Sequence, residues 1–372
     1  MAKELSKIIA LRRRLHECAE LSMQENETMR ILTDFLRENT ALTVVQRDGW
    51  FYAVKLGLPG AGAVAFRADM DALPITESLP LPYTSKHDGV SHKCGHDGHC
   101  AALCGLALEL DDAPPQPTVY LLFQPAEETG QGALLCRTLL RECGIDEIYA
   151  FHNLGGFPQG SVVYRRGLTQ PASEGLRIRM QGKPAHAAEP ENGRSPAGAL
   201  ASLTLFAQTY SRTQTDDDLL LCTVTGLTVG NGDFGISPGE GELCLTLRGA
   251  SEVRMKRLEQ DLLSRAKALA DQSGLNMSCS VCDAFPETRN DDACLDRVLR
   301  AAESLSLQTL AMPSLWRASE DFGHYLRDCP GAMVYIGSGE QYAPLHTAAY
   351  DFNDAILETA IDLFATIVRE HP

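Results

Sequence analysis

Ser91-His-Lys-Cys-Gly-His-Asp-Gly-His99 places three histidines, a cysteine and an aspartate within nine residues. Cys94 and His96 are two positions apart, so in an extended or turning backbone both side chains project to one side. There a single ion takes a thiolate and an imidazole together. Gly95 and Gly98 allow the backbone to turn tightly beside them. Leu103, Leu106, Ala107 and Leu110 follow at helical spacing, which predicts a helix starting just after His99 that anchors the stretch against a core. His92 and His99 are then expected around the ligands, with Asp97 as the carboxylate that fixes an imidazole tautomer. A histidine-rich surface loop is the competing reading, and the rest of the chain decides between them.

The neighbouring segments favour the metal site. Residues 50–57 and 62–67 read as strands, and the second empties into Arg67-Ala-Asp69-Met-Asp71-Ala-Leu-Pro74. A buried strand ending in paired aspartates puts carboxylates at the carboxyl edge of a sheet, the usual edge for sites in α/β folds, although a turn with a satisfied aspartate has the same appearance. Val119–Phe123 runs into Gln124-Pro-Ala-Glu127-Glu128, where adjacent carboxylates raise one another's pKa unless a positive charge faces them. A cation supplies that charge. One glutamate is then a ligand, and the other, turned towards water, a general base. A further strand, 148–153, ends in His152; alone it reads as a core histidine, but three strands ending in ligand-type residues are hard to attribute to chance.

The 372 residues exceed one ordinary core, and two domains are expected, one inserted in the other. Composition is that of a globular protein, 44% hydrophobic and 22% charged. A formal charge of −16 argues against nucleic acid or anionic membrane as partner. No run of 18 apolar residues occurs and residues 1–7 lack an apolar stretch, so neither a membrane span nor an export signal is expected. A cytoplasmic location follows, with the twelve scattered cysteines as reduced thiols.

In chain order, residues 4–38 carry helical periodicity, with Arg12-Arg-Arg-Leu-His16 and Glu20 on a solvated face. From about residue 173 the pattern becomes strand, helix, strand, strand, helix, strand, ending near 282, which predicts an inserted α+β (ferredoxin-like) domain. Residues 1–172 and 283–372 then form the two parts of an α/β, mixed-sheet catalytic domain. The second part carries helix 292–305, Ser319-Glu320-Asp321-Phe322, strand 332–337, Pro344-Leu-His346 and a closing helix over 354–370.

Leu11-Arg-Arg-Arg-Leu-His16, Phe66-Arg-Ala-Asp-Met-Asp-Ala-Leu-Pro74, His92-Lys-Cys-Gly-His-Asp-Gly-His99, Phe123-Gln-Pro-Ala-Glu-Glu128, His152, Gly182-Lys-Pro-Ala-His-Ala-Ala188, Ser319-Glu-Asp-Phe322 and Leu345-His346 occur in this order from end to end. Together they resemble the amidohydrolase branch of the two-metal aminoacylase/carboxypeptidase superfamily, which includes hippurate hydrolases and N-acyl-amino-acid hydrolases. The resemblance implies that Cys94, His96, Glu128, His152 and His346 hold two divalent ions, that Glu127 is the general base and that Asp69 supports the site. It further implies that His186 reaches a neighbouring subunit's site to bind substrate and stabilise the oxyanion, in a homodimer built through the inserted domain acting as lid. Arg248 and Glu320 are expected to help bind substrate, Arg248 through its free carboxylate.

The implied reaction is hydrolysis of an N-acyl amino acid or related small amide to a carboxylic acid and an amino acid. Zinc or manganese suits the donor set, with cobalt or nickel also compatible. A dipeptidase or carboxypeptidase, and a non-catalytic binding protein on the same scaffold, are the alternatives; retention of Glu127 speaks against the last. The chain departs from the family pattern at Gly235-Ile-Ser-Pro238, where an Asn-Val-Ile-Pro segment is usual, at Pro184-Ala, at Glu191 and at Ala19. None touches the expected ligands; substrate preference is what they affect.

Overall fold

The computed structural model describes residues 2–112, 115–210 and 215–371. The chain begins with α1 (Ala2–Glu17), α2 (Asn26–Asn39), β1 (Thr43–Gln46), β2 (Phe51–Lys55), β3 (Ala63–Asp69), α3 (His96–Asp112), β4 (Thr118–Gln124), β5 (Glu147–Gly155) and β6 (Val162–Tyr164). It continues through β7 (Ala172–Gln181), α4 (Ala197–Gln208), β8 (Leu220–Val229), β9 (Glu240–Gly249), α5 (Glu252–Gln272) and β10 (Asn276–Phe285). Then come α6 (Asp292–Ser304), β11 (Thr309–Ala311), β12 (Gly331–Gly339) and α7 (Leu357–Arg369).

These elements form two compact units. The first comprises residues 1–169, 288–313 and 320–372 and holds an eight-stranded mixed sheet in the order β1-β2-β4-β3-β5-β12-β6-β11. Strands β4, β3, β5 and β12 run parallel to one another, so their carboxyl ends share one edge. β3 is buried on both faces, as expected for a central parallel strand. Its alternation divides the core: Val64, Phe66 and Ala68 pack with α1, α2, α3, α6 and α7, whereas Ala63 and Ala65 pack on the other face with Leu139, Phe322 and Tyr325.

The amino-terminal region corrects one expectation. The predicted single helix over 4–38 is two helices, parted at Cys18–Glu25. No Gly or Pro marks the break in sequence; it is made by Glu20, whose carboxylate accepts from the Glu27 and Thr28 amides at the start of α2. Arg12 and His16 are not on a solvated face either. Both are buried, because carboxylates from distant segments meet them there.

The second unit, residues 170–287 with 314–319, has its own antiparallel sheet in the order β8-β9-β7-β10 and its own core. Its limits extend a few residues beyond the expected 173–282, and it takes in the short segment 314–319 from the later part of the chain. Leu200 and Leu203 of α4 and Met255, Leu258, Leu262, Ala266 and Leu269 of α5 supply the apolar stripes that cover the sheet. Ser251 caps α5 by accepting from the Arg254 amide.

Candidate metal centre

The parallel strands of the first unit deliver their carboxyl ends to one edge, and the ligand-type residues follow from that. β3 ends at Asp69 and leads to Asp71; β4 leads through Pro125 and Ala126 to Glu127 and Glu128; β5 carries His152 within the strand. The nine-residue motif supplies Cys94 from a turn and His96 from the first residue of α3, so the helix starts four residues earlier than the sequence suggests. Gly95 makes that turn at φ +99, and a Cβ there would stand 2.2 Å from Asn153 Oδ1.

Cys94 lies at the centre. Its Sγ is 3.3 Å from His152 Nε2 and 3.3 Å from His346 Nε2. Glu128 Oε1 is 3.6 Å from His346 Nε2 and 3.8 Å from His96 Nε2, and Glu127 Oε2 is 3.9 Å from the same His96 nitrogen. Two donor triads result, Cys94–His96–His152 and Cys94–Glu128–His346, sharing the sulfur. Donors at about 2.0–2.3 Å from a tetrahedral ion stand roughly 3.3–3.8 Å apart, the range seen here. His96 Nε2 and Glu128 Oε1 are buried and have no hydrogen-bond partner among the described residues, which is what a residue set kept for a cation requires.

Neighbouring groups set the orientation of these side chains. His96 Nδ1 donates to the Asp71 backbone carbonyl at 2.9 Å, with Asp71 Oδ1 at 3.2 Å, so Nε2 is left to face the centre. Asp71 Oδ2 accepts from the Glu128 amide and from Ser22 Oγ, tying both ligand segments to one carboxylate. His152 Nδ1 donates to the Asn153 carbonyl. The sequence singled out Asp71 only as half of a pair; its role as the shared anchor needed the fold. Asp97, expected to fix an imidazole tautomer, faces His16 at 2.8 Å, an imidazole outside the donor set. His92 is buried with no hydrogen bond on either ring nitrogen among the described residues, and burial holds its pKa down near 4.

Asp69 is buried between Arg67 Nη1 and His99 Nδ1, each 2.6 Å away, with its Oδ2 3.7 Å from His96 Nε2. Arg67, itself buried, also donates to Gln124, Glu320 and Asp321. Glu320 was expected at the substrate. Its Oε1 accepts from Arg67 and from the Phe322 amide in a buried setting, which makes it a partner of Arg67. His186 and Arg248 belong to the second unit. His186 is exposed, and its Nδ1 accepts from the Ala188 amide; Arg248 Nη1 donates to Ser319 Oγ, and burial lowers its pKa.

The electrostatics of the cluster suits a cation. Burial, reinforced by the other carboxylates, pushes the Glu127 carboxyl well up and Glu128 to about 7; burial with Glu128 beside it pushes the Cys94 thiol well up. Burial opposes a charge on His96, but Asp69, Asp71 and Glu128 outweigh it and lift the imidazole to about 10. A cluster that would hold a proton on His96 at neutral pH is one that a divalent cation satisfies better.

Comparison with known proteins bears on this site. Residues 65–370 match the model for peptidase family M20/M25/M40. The N-acetyl-L-cysteine deacetylase of Bacillus subtilis (strain 168) is 33% identical over 372 residues, 97% of this chain and 88% of that protein. The N-acetyldiaminopimelate deacetylase of Lacticaseibacillus casei (strain BL23) is 28% identical over 361 residues, 94% of each chain. Among solved structures, the Bacillus subtilis YXEP protein, a dinuclear metal-binding peptidase of the M20 family, superposes with a TM-score of 0.83 at 26% identity, covering 99% of this chain and 98% of its own.

Proposed function

Since the chain belongs to peptidase family M20/M25/M40, we propose that its centre hydrolyses the amide bond of N-acyl amino acids bearing a short acyl group, such as acetyl. It is a metal-dependent amidohydrolase. Cys94, His96, Glu128, His152 and His346 hold two divalent ions, zinc or manganese, with cobalt or nickel as substitutes. The observation that carries this reading is the Cys94 sulfur within 3.3 Å of both His152 and His346, two imidazoles far apart in the chain.

Bound ions supply charge that polarises the amide carbonyl and lowers the pKa of water. The protein's own groups do the rest. Glu127, next to ligand Glu128 and 3.9 Å from His96, accepts the proton of the attacking water and returns it to the leaving nitrogen. The C–N bond breaks, the acyl carbon gains the hydroxyl, and the products are a carboxylic acid and a free amino acid. Asp71 keeps the ligand imidazole of His96 oriented, and Asp69 holds the neighbouring His99.

The exposed His186 suits a role in binding substrate at the centre of a second copy, which makes the active species a homodimer, and Arg248 suits the substrate carboxylate. No helix among the described residues is long and apolar enough to cross a membrane. Twelve unpaired thiols fit a reducing compartment, the cytoplasm.

The test is a mass-spectrometric screen of metal-reconstituted protein against N-acetyl amino acids and dipeptides. Release of amino acid from the acetyl conjugates is expected; cleavage of dipeptides alone would favour a peptidase, and cleavage of neither would end the proposal. Glu127→Gln is expected to lower kcat by roughly 10²-fold or more while both ions stay bound.

A further inference from the structure

His346 differs from the other proposed ligands in how it is held. Cys94, His96 and His152 are buried, whereas the His346 side chain is 52% exposed. It lies in a stretch between β12 and α7 that has no regular secondary structure around it, and its own backbone is left-handed at φ +60. A ligand on such a stretch needs anchors to stay opposite its partner.

Those anchors converge on one residue. The His346 amide donates to the Lys93 carbonyl at 2.8 Å, and Lys93 Nζ donates to the Tyr350 carbonyl at 2.7 Å. Lys93 therefore grips the segment on both sides of Thr347–Ala349, once with its backbone and once with its side chain, while its chain neighbour Cys94 faces His346. The ammonium is buried, and a carboxylate holds it in place: Nζ is 2.7 Å from Glu77 Oε1. Glu77 is itself fixed by His16 Nε2 at 2.7 Å and by the Ser85 amide at 2.8 Å. A buried lysine with two short, directed bonds is a defined mechanical link rather than a solvated charge.

The geometry points to Lys93 as a positioning residue that fixes the His346 segment against the Cys94 turn and so completes the Cys94–Glu128–His346 triad. Lys93 itself does not touch the donor atoms. It acts through the backbone of residues 346 and 350; replacing its side chain leaves the main-chain bond to His346 and breaks the bond to Tyr350, which weakens the ion held by that triad and leaves the ion held through His96 and His152 in place. This inference rests on the two-ion reading above.

Zinc titration of the apoprotein by equilibrium dialysis, for wild type, Lys93→Met and Glu77→Gln, separates the possibilities. Wild type is expected to bind two zinc ions per chain. Lys93→Met is expected to keep one affinity unchanged and to lose about 10- to 100-fold in the other, the range for groups that orient a ligand. Activity should return at high zinc with little change in KM. Two unchanged affinities in Lys93→Met, even with a lower melting temperature, would overturn the role of Lys93 and leave the two-ion reading standing. Fewer than two ions in wild type would overturn that reading and this inference with it. Should Lys93→Met not fold, Glu77→Gln decides: a weaker second ion supports the link, and two wild-type affinities refute it.

Discussion

His16 shows how a single side chain takes its character from groups remote in sequence. Burial disfavours its charged form, but the hydrogen bonds it donates to the Asp97 and Glu77 carboxylates outweigh this and lift its pKa from 6.5 to about 9. Arg12, His92 and Asp351 also lie close, and the Arg12 guanidinium bridges Asp351 and Asp354. Because the folded pKa is the higher one, the stabilisation from His16 is complete below about pH 6.5 and fades as the pH rises through 9. A shift of that size corresponds to roughly 3 kcal/mol. Urea unfolding at pH 6 and pH 10 is expected to show this loss in wild type, with a distinctly smaller loss in His16→Gln; equal losses would remove His16 as the source. A helical face carrying Arg, Arg, Arg and His reads as solvated because water is the usual partner of such groups. Only the tertiary structure brings Glu77, Asp97, Asp351 and Asp354 to it.

Among the elements, the turn from Cys94 into α3 sets the geometry of the centre. Gly95 stands at φ +99, with Asn153 Oδ1 2.2 Å and Tyr350 Oη 2.8 Å from where a Cβ would lie. Gly95→Ala therefore combines backbone strain with a clash against two hydrogen-bonded groups. A loss of at least about 2 kcal/mol in unfolding free energy is expected, together with weaker zinc binding. Gly144→Ala serves as the control, since its φ of +59 is also left-handed but nothing lies within 4 Å of the added carbon. It should cost about 1 kcal/mol and leave zinc binding unchanged. If the two variants were alike, the close approach at Gly95 would have no consequence. The glycines of the motif are legible as turn formers, but the identity of what presses on them is not. Ala126, at φ +50, and His346, at φ +60, carry no such signal at all, because residues with a Cβ take that backbone only where neighbours hold it, as the Glu25 carboxylate holds the Ala126 amide.

For the whole molecule, the two units have separate apolar cores, and residues 170–287 bury Leu176, Ile178, Leu200, Leu245, Leu258 and Leu262 among themselves. A fragment of those residues is expected to fold alone, with a cooperative thermal transition and the far-UV dichroism of a mixed α/β protein; a disordered fragment would show that its core depends on the rest of the chain. The order strand, helix, strand, strand, helix, strand was readable from periodicity, because each element presents one apolar face at its own period. So were the buried parallel strands of the larger unit, whose runs are mainly apolar up to the polar residues near their carboxyl ends. The short strands β1, β6 and β11 were not, since three or four residues at a sheet's flank carry too little pattern. The inclusion of residues 314–319 in the second unit was equally invisible, being a matter of which surface a connecting stretch packs on.

Sequence alone determined the donor chemistry of the candidate site residues, their order along the chain and the helices and strands that carry most of them, because donor chemistry and hydrophobic period are local properties of residues. Tertiary structure alone decided that Asp71 anchors His96 and Glu128 together, that Glu320 answers Arg67, that Arg12 and His16 are buried and that Lys93 ties down the His346 segment. Each of these depends on a hydrogen bond or ion pair between positions far apart in sequence, and such pairs leave no periodicity or motif to read until folding closes the distance.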